Sequence, residues 1–179
     1  MITVEDTALI VVDVQGKLAE IVHESEFVLG QIEKLIRGAQ ILDVPIIWME
    51  QYPEGLGRTN DRLLKHLENE RYVTKRTFSA CLEASFLEEL QNLKRKSYLV
   101  AGIEAHVCVY QTVRDLLKRD YEVEVVLDAV SSRTELNRTI GIEKMKKLGA
   151  SITSVEMALF ELMQTSKHPK FKEVLEIIK

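Results

Sequence analysis

YLVAGIEAHVCVYQTVRDLL, residues 98–117, decides how the chain is read. An apolar run ends at Gly102, a short polar break follows, and Val109, Thr112, Val113, Leu116 and Leu117 then recur at helical spacing. The pattern predicts a buried strand over residues 97–102, a tight turn, and a helix over 108–118 with the Cys108 thiol where it begins. The first N–H groups of a helix have no partner inside it and its dipole is positive at that end, so a thiolate there is expected to be favoured and its pKa to fall. A small buried residue packing a helix against a sheet accounts for the same thiol. The rest of the chain has to separate the two readings.

Outward from this stretch, strands and helices alternate. Residues 8–14, ALIVVDV, form a continuous β-branched run that suits a strand covered on both faces, with Asp13 near its end. Val28, Ile32, Leu35, Ile36, Ala39 and Leu42 mark a helix over 27–42, closed by Asp43-Val44-Pro45. Residues 46–49 and 72–76 read as short strands, the second containing Lys75, and between them 50–72 read as a loop with at most a short helix. A helix over 79–93 follows, then the opening stretch, a strand over 123–127 ending at Asp128, a helix over 139–148, a last strand over 150–153, and helices over 155–163 and 171–178. Such alternation implies βαβ units and an α/β fold, three layers with a mainly parallel sheet between helices. No linker, repeat or low-complexity tract divides residues 1–179, so one domain is expected. In such sheets ligands sit beyond the carboxyl ends of the strands. Asp13, Lys75, Cys108 and Asp128 all fall there and can share one crevice.

A carboxylate, an ammonium and a thiol in one crevice suit a covalent hydrolase. Asp13 could take the thiol proton, Lys75 would favour the thiolate, and N–H groups of the turn could receive a developing oxyanion. An acid at the end of a buried strand is costly unless paired or functional, which favours a role for Asp13. Lys75 alone reads as a solvated surface lysine, and gains meaning only beside the other two. Cys81, the other cysteine, reads as structural. None of the four histidines, His23, His66, His106 and His168, has a partner at metal-ligand spacing, so no metal is expected. His106 reads as a rim residue of the pocket. Glu50, Gln51, Tyr52 and Phe78 join it as pocket residues by their placement beside the presumed crevice.

Other classes are excluded by what is missing. A net charge of -4 offers no basic surface for nucleic acid or anionic membrane. GIEAHV has one glycine where a dinucleotide fingerprint needs three, and no P-loop pattern occurs, so no nucleotide cofactor is expected. The acidic start MITVEDTALIVVDVQ does not read as a signal peptide, no apolar run approaches membrane-spanning length, and two distant thiols fit a reduced cytoplasm. The expected partner is a small molecule.

VVDVQ around Asp13, KRTFSA from Lys75, GIEAHVCV around Cys108, DAVSSR from Asp128 and the late TSVEMALFEL resemble the isochorismatase-like cysteine hydrolase superfamily. EQYPEGLGRT is similar to its isochorismatase domain-containing branch. The resemblance implies the superfamily's Rossmann-like hydrolase fold, a homo-oligomer, and a triad of Asp13, Lys75 and Cys108. It also implies a cis peptide between Ile103 and Glu104 that turns the Glu104 amide toward that of Cys108, making the two an oxyanion hole. Hydrolysis of a C–N bond in a small amide or ureido-type substrate, through an acyl-cysteine, would follow. Members that hydrolyse nicotinamide bind a metal through histidines after the second strand, and WMEQYPEGLGR has none. True isochorismatases lack the cysteine, and the family turn often has threonine where this chain has Ala105. The alternative is an oligomeric binding or scaffold protein that keeps the fold without turnover.

Overall fold

The computed structural model describes Met1–Lys179. Six strands form one parallel sheet in the order β3-β2-β1-β4-β5-β6: β1 (Thr7–Val12), β2 (Ile46–Gln51), β3 (Arg71–Lys75), β4 (Ser97–Ile103), β5 (Glu122–Ser131) and β6 (Ser151–Thr153). The apolar runs are continuous because both faces are covered. In β1, Leu9 and Val11 join the core on one side, while Ala8, Ile10 and Val12 join the core on the other. The first core is closed by α1 (Gly16–Ile21), α2 (Ser25–Ile41), α8 (Val155–Met163) and α9 (Phe171–Ile178), and the second by α5 (Ala84–Leu93), α6 (Tyr110–Leu117) and α7 (Glu135–Lys147). No helix is long and apolar enough to cross a membrane.

Successive strands step away from β1 to one side as β2 and β3 and to the other as β4, β5 and β6. The direction of winding reverses between β1 and β4, which opens a crevice at their carboxyl ends. Gly102 allows these two strands to come close. It pairs with Val12, has φ +123, and a Cβ there would run into the backbone oxygen and nitrogen of Val12. Gly102→Ala is therefore expected to destabilise the fold by about 3 kcal/mol, since neither the left-handed backbone nor the strand spacing accepts a methyl group. Denaturant unfolding measures it, and an unchanged midpoint would refute this account of the β1–β4 contact.

Several expected boundaries move. The loop over residues 50–72 contains α3 (Pro53–Leu56) and α4 (Asp61–Leu67), the latter capped by the Asn60 side chain, which accepts from Arg62 N at 3.0 Å. The helix expected over 79–93 is a 3₁₀ turn (Ala80–Leu82) followed by α5. The helix expected from residue 139 starts at Glu135 instead, with Thr134 as its cap. β5 continues past Asp128 to Ser131, so Asp128 is an interior residue of the strand. Its carboxylate accepts from Val155 N at 3.0 and 3.3 Å at the start of α8, and it does not reach the crevice.

Candidate active site

β1 stops at Val12, and Asp13 turns the chain with φ +48, a left-handed conformation that Asp tolerates better than most residues. Its side chain thereby lies at the crevice, 5% exposed. Lys75 ends β3 and is 2% exposed. Its ammonium donates to Asp13 Oδ2 at 2.6 Å, to Gln51 Oε1 at 2.7 Å, and to the carbonyls of Thr77 and Phe78 at 3.1 and 3.4 Å. These four acceptors compensate the burial of the side chain.

The turn that carries Cys108 differs from the expected helix start. Cys108 is the fourth residue of a five-residue π-helical segment, Ala105–Val109, which then runs into α6. The Ile103–Glu104 peptide that leads into it is cis, and the Glu104 N–H has no acceptor in the chain. Glu104 Oε1 accepts from Arg133 N and Nε, both at 3.0 Å, fastening the turn to the end of β5. Behind the turn, Gly141 of α7 lets the helix pack directly on it. A Cβ at Gly141 would stand 2.7 Å from Ala105 O and 2.8 Å from His106 Cα. Arg133 lies in the DAVSSR motif, so a sequence signal existed for it; Gly141 carried none.

The thiol donates to Gln51 Oε1 at 3.2 Å. Burial, with the Asp13 carboxylate added to it, pushes Cys108 up to about 12 against the pull of Lys75. The direction is opposite to the fall expected for a thiol at a helix start, because burial and the neighbouring carboxylate act against the thiolate. Burial also raises Asp13 above the ordinary carboxylate range, with Lys75 opposing it. Asp13 Oδ1 is buried and without a hydrogen-bond partner, and the Asp13 charge bears on the Cys108 thiol. Asp13 thus stands near the Cys108 sulfur with one side-chain oxygen free.

These groups stand at a cavity of about 370 Å³. Asp13, Gln15, Gln51, Glu104 and Cys108 supply its polar wall, and Leu18, Leu56, Phe78, Ile103 and Val107 the apolar one, with Lys17 also lining it. Of the residues expected in the pocket, Gln51 and Phe78 line it and three do not. Glu50 points away and is buried, accepting from Thr59 N at 2.5 Å, Thr59 Oγ1 at 2.8 Å and Tyr72 OH at 2.7 Å. Tyr52 lies outside under Arg76, whose Cζ is 4.0 Å from the ring centroid. His106 turns to the residue that follows β5, its Nδ1 3.0 Å from Ser132 Oγ. Gln15 was not foreseen: it donates to the carbonyls of Gln51 and Gly57 at 3.1 and 2.7 Å and accepts from Gln51 N at 2.6 Å. Cys81 is buried against Thr112 and is raised to about 11, mainly by burial. No three His, Cys, Asp or Glu side chains gather where they could hold a metal ion.

A family model described as the isochorismatase domain matches residues 7–157, which include every residue of this site. The chain belongs to the isochorismatase family. Among the relatives of this isochorismatase-family protein, isochorismatase family protein 1B of Dictyostelium discoideum is 39% identical, with 98% of this chain and 87% of that protein aligned. A solved structure described as the MAR1 ribonuclease of Caenorhabditis elegans superposes with a TM-score of 0.93 at 40% identity, covering 99% of this chain and 91% of that one. The YcaC gene product of Escherichia coli, described as an octameric hydrolase of unknown specificity, gives a TM-score of 0.89 over 98% of this chain and 94% of that one. At 20% identity it shares the fold, and the likeness extends no further. The architecture is thus that of the isochorismatase-like hydrolases.

Proposed function

We propose that this isochorismatase-family protein is a cysteine hydrolase that opens a C–N bond of a small amide or ureido-type compound through an acyl-cysteine. One observation carries the reading: a thiol and a carboxylate with a free oxygen line a cavity of small-molecule size, and a buried ammonium behind them donates to that carboxylate. Because the thiol is not ionised at rest, Asp13 Oδ1 takes its proton as Sγ bonds to the carbonyl carbon. A carboxyl raised by burial is the better base for this, and Lys75 keeps it ionised until the thiol attacks. The carbonyl electron pair moves onto oxygen, where the amides of Glu104 and Cys108 would receive it. Collapse restores the carbonyl and breaks the C–N bond, and the departing nitrogen carries off the proton from Asp13. Water then loses a proton to Asp13 and attacks the acyl carbon, the C–S bond breaks, and the sulfur regains its proton. The sum is amide plus water giving acid plus ammonia or an amine.

No metal or organic cofactor enters these steps. The C. elegans neighbour is described as a ribonuclease, yet a net charge of -4 gives no overall attraction to a polyanion, which favours a small molecule. The apolar Leu136 and Ile140, exposed one turn apart on α7, support assembly into a homo-oligomer, and the two free cysteines support a reducing cytoplasm.

Release of ammonia or amine from a panel of primary amides, N-substituted amides and ureido compounds tests the function. Turnover of the best substrate should fall by about 10³-fold or more in Cys108→Ala. Undiminished release by that variant would remove the nucleophile.

A further inference from the structure

Gln51 ends β2 in register with Lys75 on β3, and its side-chain amide touches both Lys75 and Cys108. An ammonium can only donate hydrogen bonds, so the amide atom 2.7 Å from Lys75 Nζ is necessarily the oxygen. The same oxygen accepts from the thiol at 3.2 Å. Nε2 is thereby turned away from the Asp13–Lys75 pair. It makes no hydrogen bond within the chain, and Gln51 lines the cavity. The two bonds at Oε1 hold the side chain, and Gln15 holds the backbone beneath it: the Gln51 N–H donates to Gln15 Oε1 at 2.6 Å and its carbonyl accepts from Gln15 Nε2 at 3.1 Å. Gln15 is itself tied to Gly57 O at 2.7 Å. A rigid donor is thus held beside the sulfur with nothing to donate to.

We infer that Gln51 Nε2 is the substrate-orienting donor of this site, and that the preferred substrates carry a carbonyl or carboxylate oxygen on the atom next to the carbon that Cys108 attacks. Oε1 and Nε2 share one carbon, so a donor whose twin oxygen already touches Sγ reaches substituents one or two bonds from the atom bonded to sulfur. Leu18, Leu56, Phe78 and Val107 leave an apolar space for the remainder of the molecule. A half-buried donor that a substrate covers without matching it loses its water, so the site disfavours analogues that lack the acceptor. The inference rests on Cys108 being the attacking atom.

Alkylation of the intact protein tests it without needing turnover. Iodoacetamide has a carbonyl next to its reacting carbon and allyl bromide has none. The rate of each at Cys108, followed by mass spectrometry of its peptide, is divided by that reagent's rate with free cysteine; the quotient of the two normalised rates, iodoacetamide over allyl bromide, is a ratio in which the ionised fraction of the thiol cancels. Gln51→Glu keeps an oxygen for Lys75 and removes the donor, and Gln51→Met removes it without adding charge. Both should lower the ratio by about fivefold to tenfold, the size of one hydrogen bond. A ratio unchanged in both variants would overturn the assignment. The hydrolase reading fails separately, if Cys108→Ala keeps its turnover.

Discussion

Asp13→Asn should slow turnover by about 10²- to 10⁴-fold while lowering the pH at which Cys108 becomes reactive. The two effects have one origin. Burial and the Asp13 charge together push the thiol up to about 12, so removing the charge brings the midpoint of iodoacetamide alkylation down. A thiol easier to ionise would ordinarily be more active. Here activity falls, because the group that must accept and return the proton has gone: the amide oxygen of asparagine accepts a hydrogen bond but is too weak a base to take the proton. The pH profile of alkylation and the rate of hydrolysis, measured on the same variant, check both signs. A midpoint that rises, or turnover near that of the wild type, would contradict the role given to Asp13.

Lys75→Met should cost about 3–5 kcal/mol of stability at neutral pH, because it leaves the Asp13 carboxylate buried without its cation. The penalty has a definite pH dependence. Burial raises Asp13, and Lys75 is the largest influence lowering it, so without the lysine the folded pKa rises further above its unfolded value. A carboxyl raised in the folded state favours folding below the unfolded pKa and loses that contribution as pH climbs through the folded pKa. The loss relative to wild type should therefore be smaller near about pH 5 than near about pH 8. Denaturant unfolding at the two pH values measures it. Alkylation of Cys108 should also slow at a given pH, since Lys75 is the charge that pulls the thiol down.

Much of this arrangement was legible in the residues. ALIVVDV and YLVAGI are apolar on both faces, which requires a sheet covered on both sides, and the winding of the chain then gathers the strand ends. Asp13 stood out because a carboxylate beside such a run needs a reason. Strand-end placement alone did not tell which face a side chain takes. Glu50 and Gln51 are neighbours, and with a period of two only one of them can turn to the cavity: Gln51 does, and Glu50 reaches back to Thr59 and Tyr72. Asp128 ends the obvious β-branched run, but β5 passes a register shift against β4 between Val100 and Gly102 and continues, so the acid meets α8. Helices as short as GKLAEI and PEGL lack the turns that make a periodicity visible. The raised thiol pKa was hidden because it comes from burial by distant elements, and helix periodicity around Cys108 says nothing of how closely α7 packs on its turn.

The central claim is that Cys108 carries the acyl group during turnover. Intact-mass spectrometry of protein quenched during hydrolysis of the best substrate tests it most directly. The account predicts an adduct whose added mass is that of the acyl portion alone, located at Cys108 and missing from Cys108→Ala, with Cys81 unmodified. Steady turnover with no adduct, together with undiminished activity of Cys108→Ala, would contradict it.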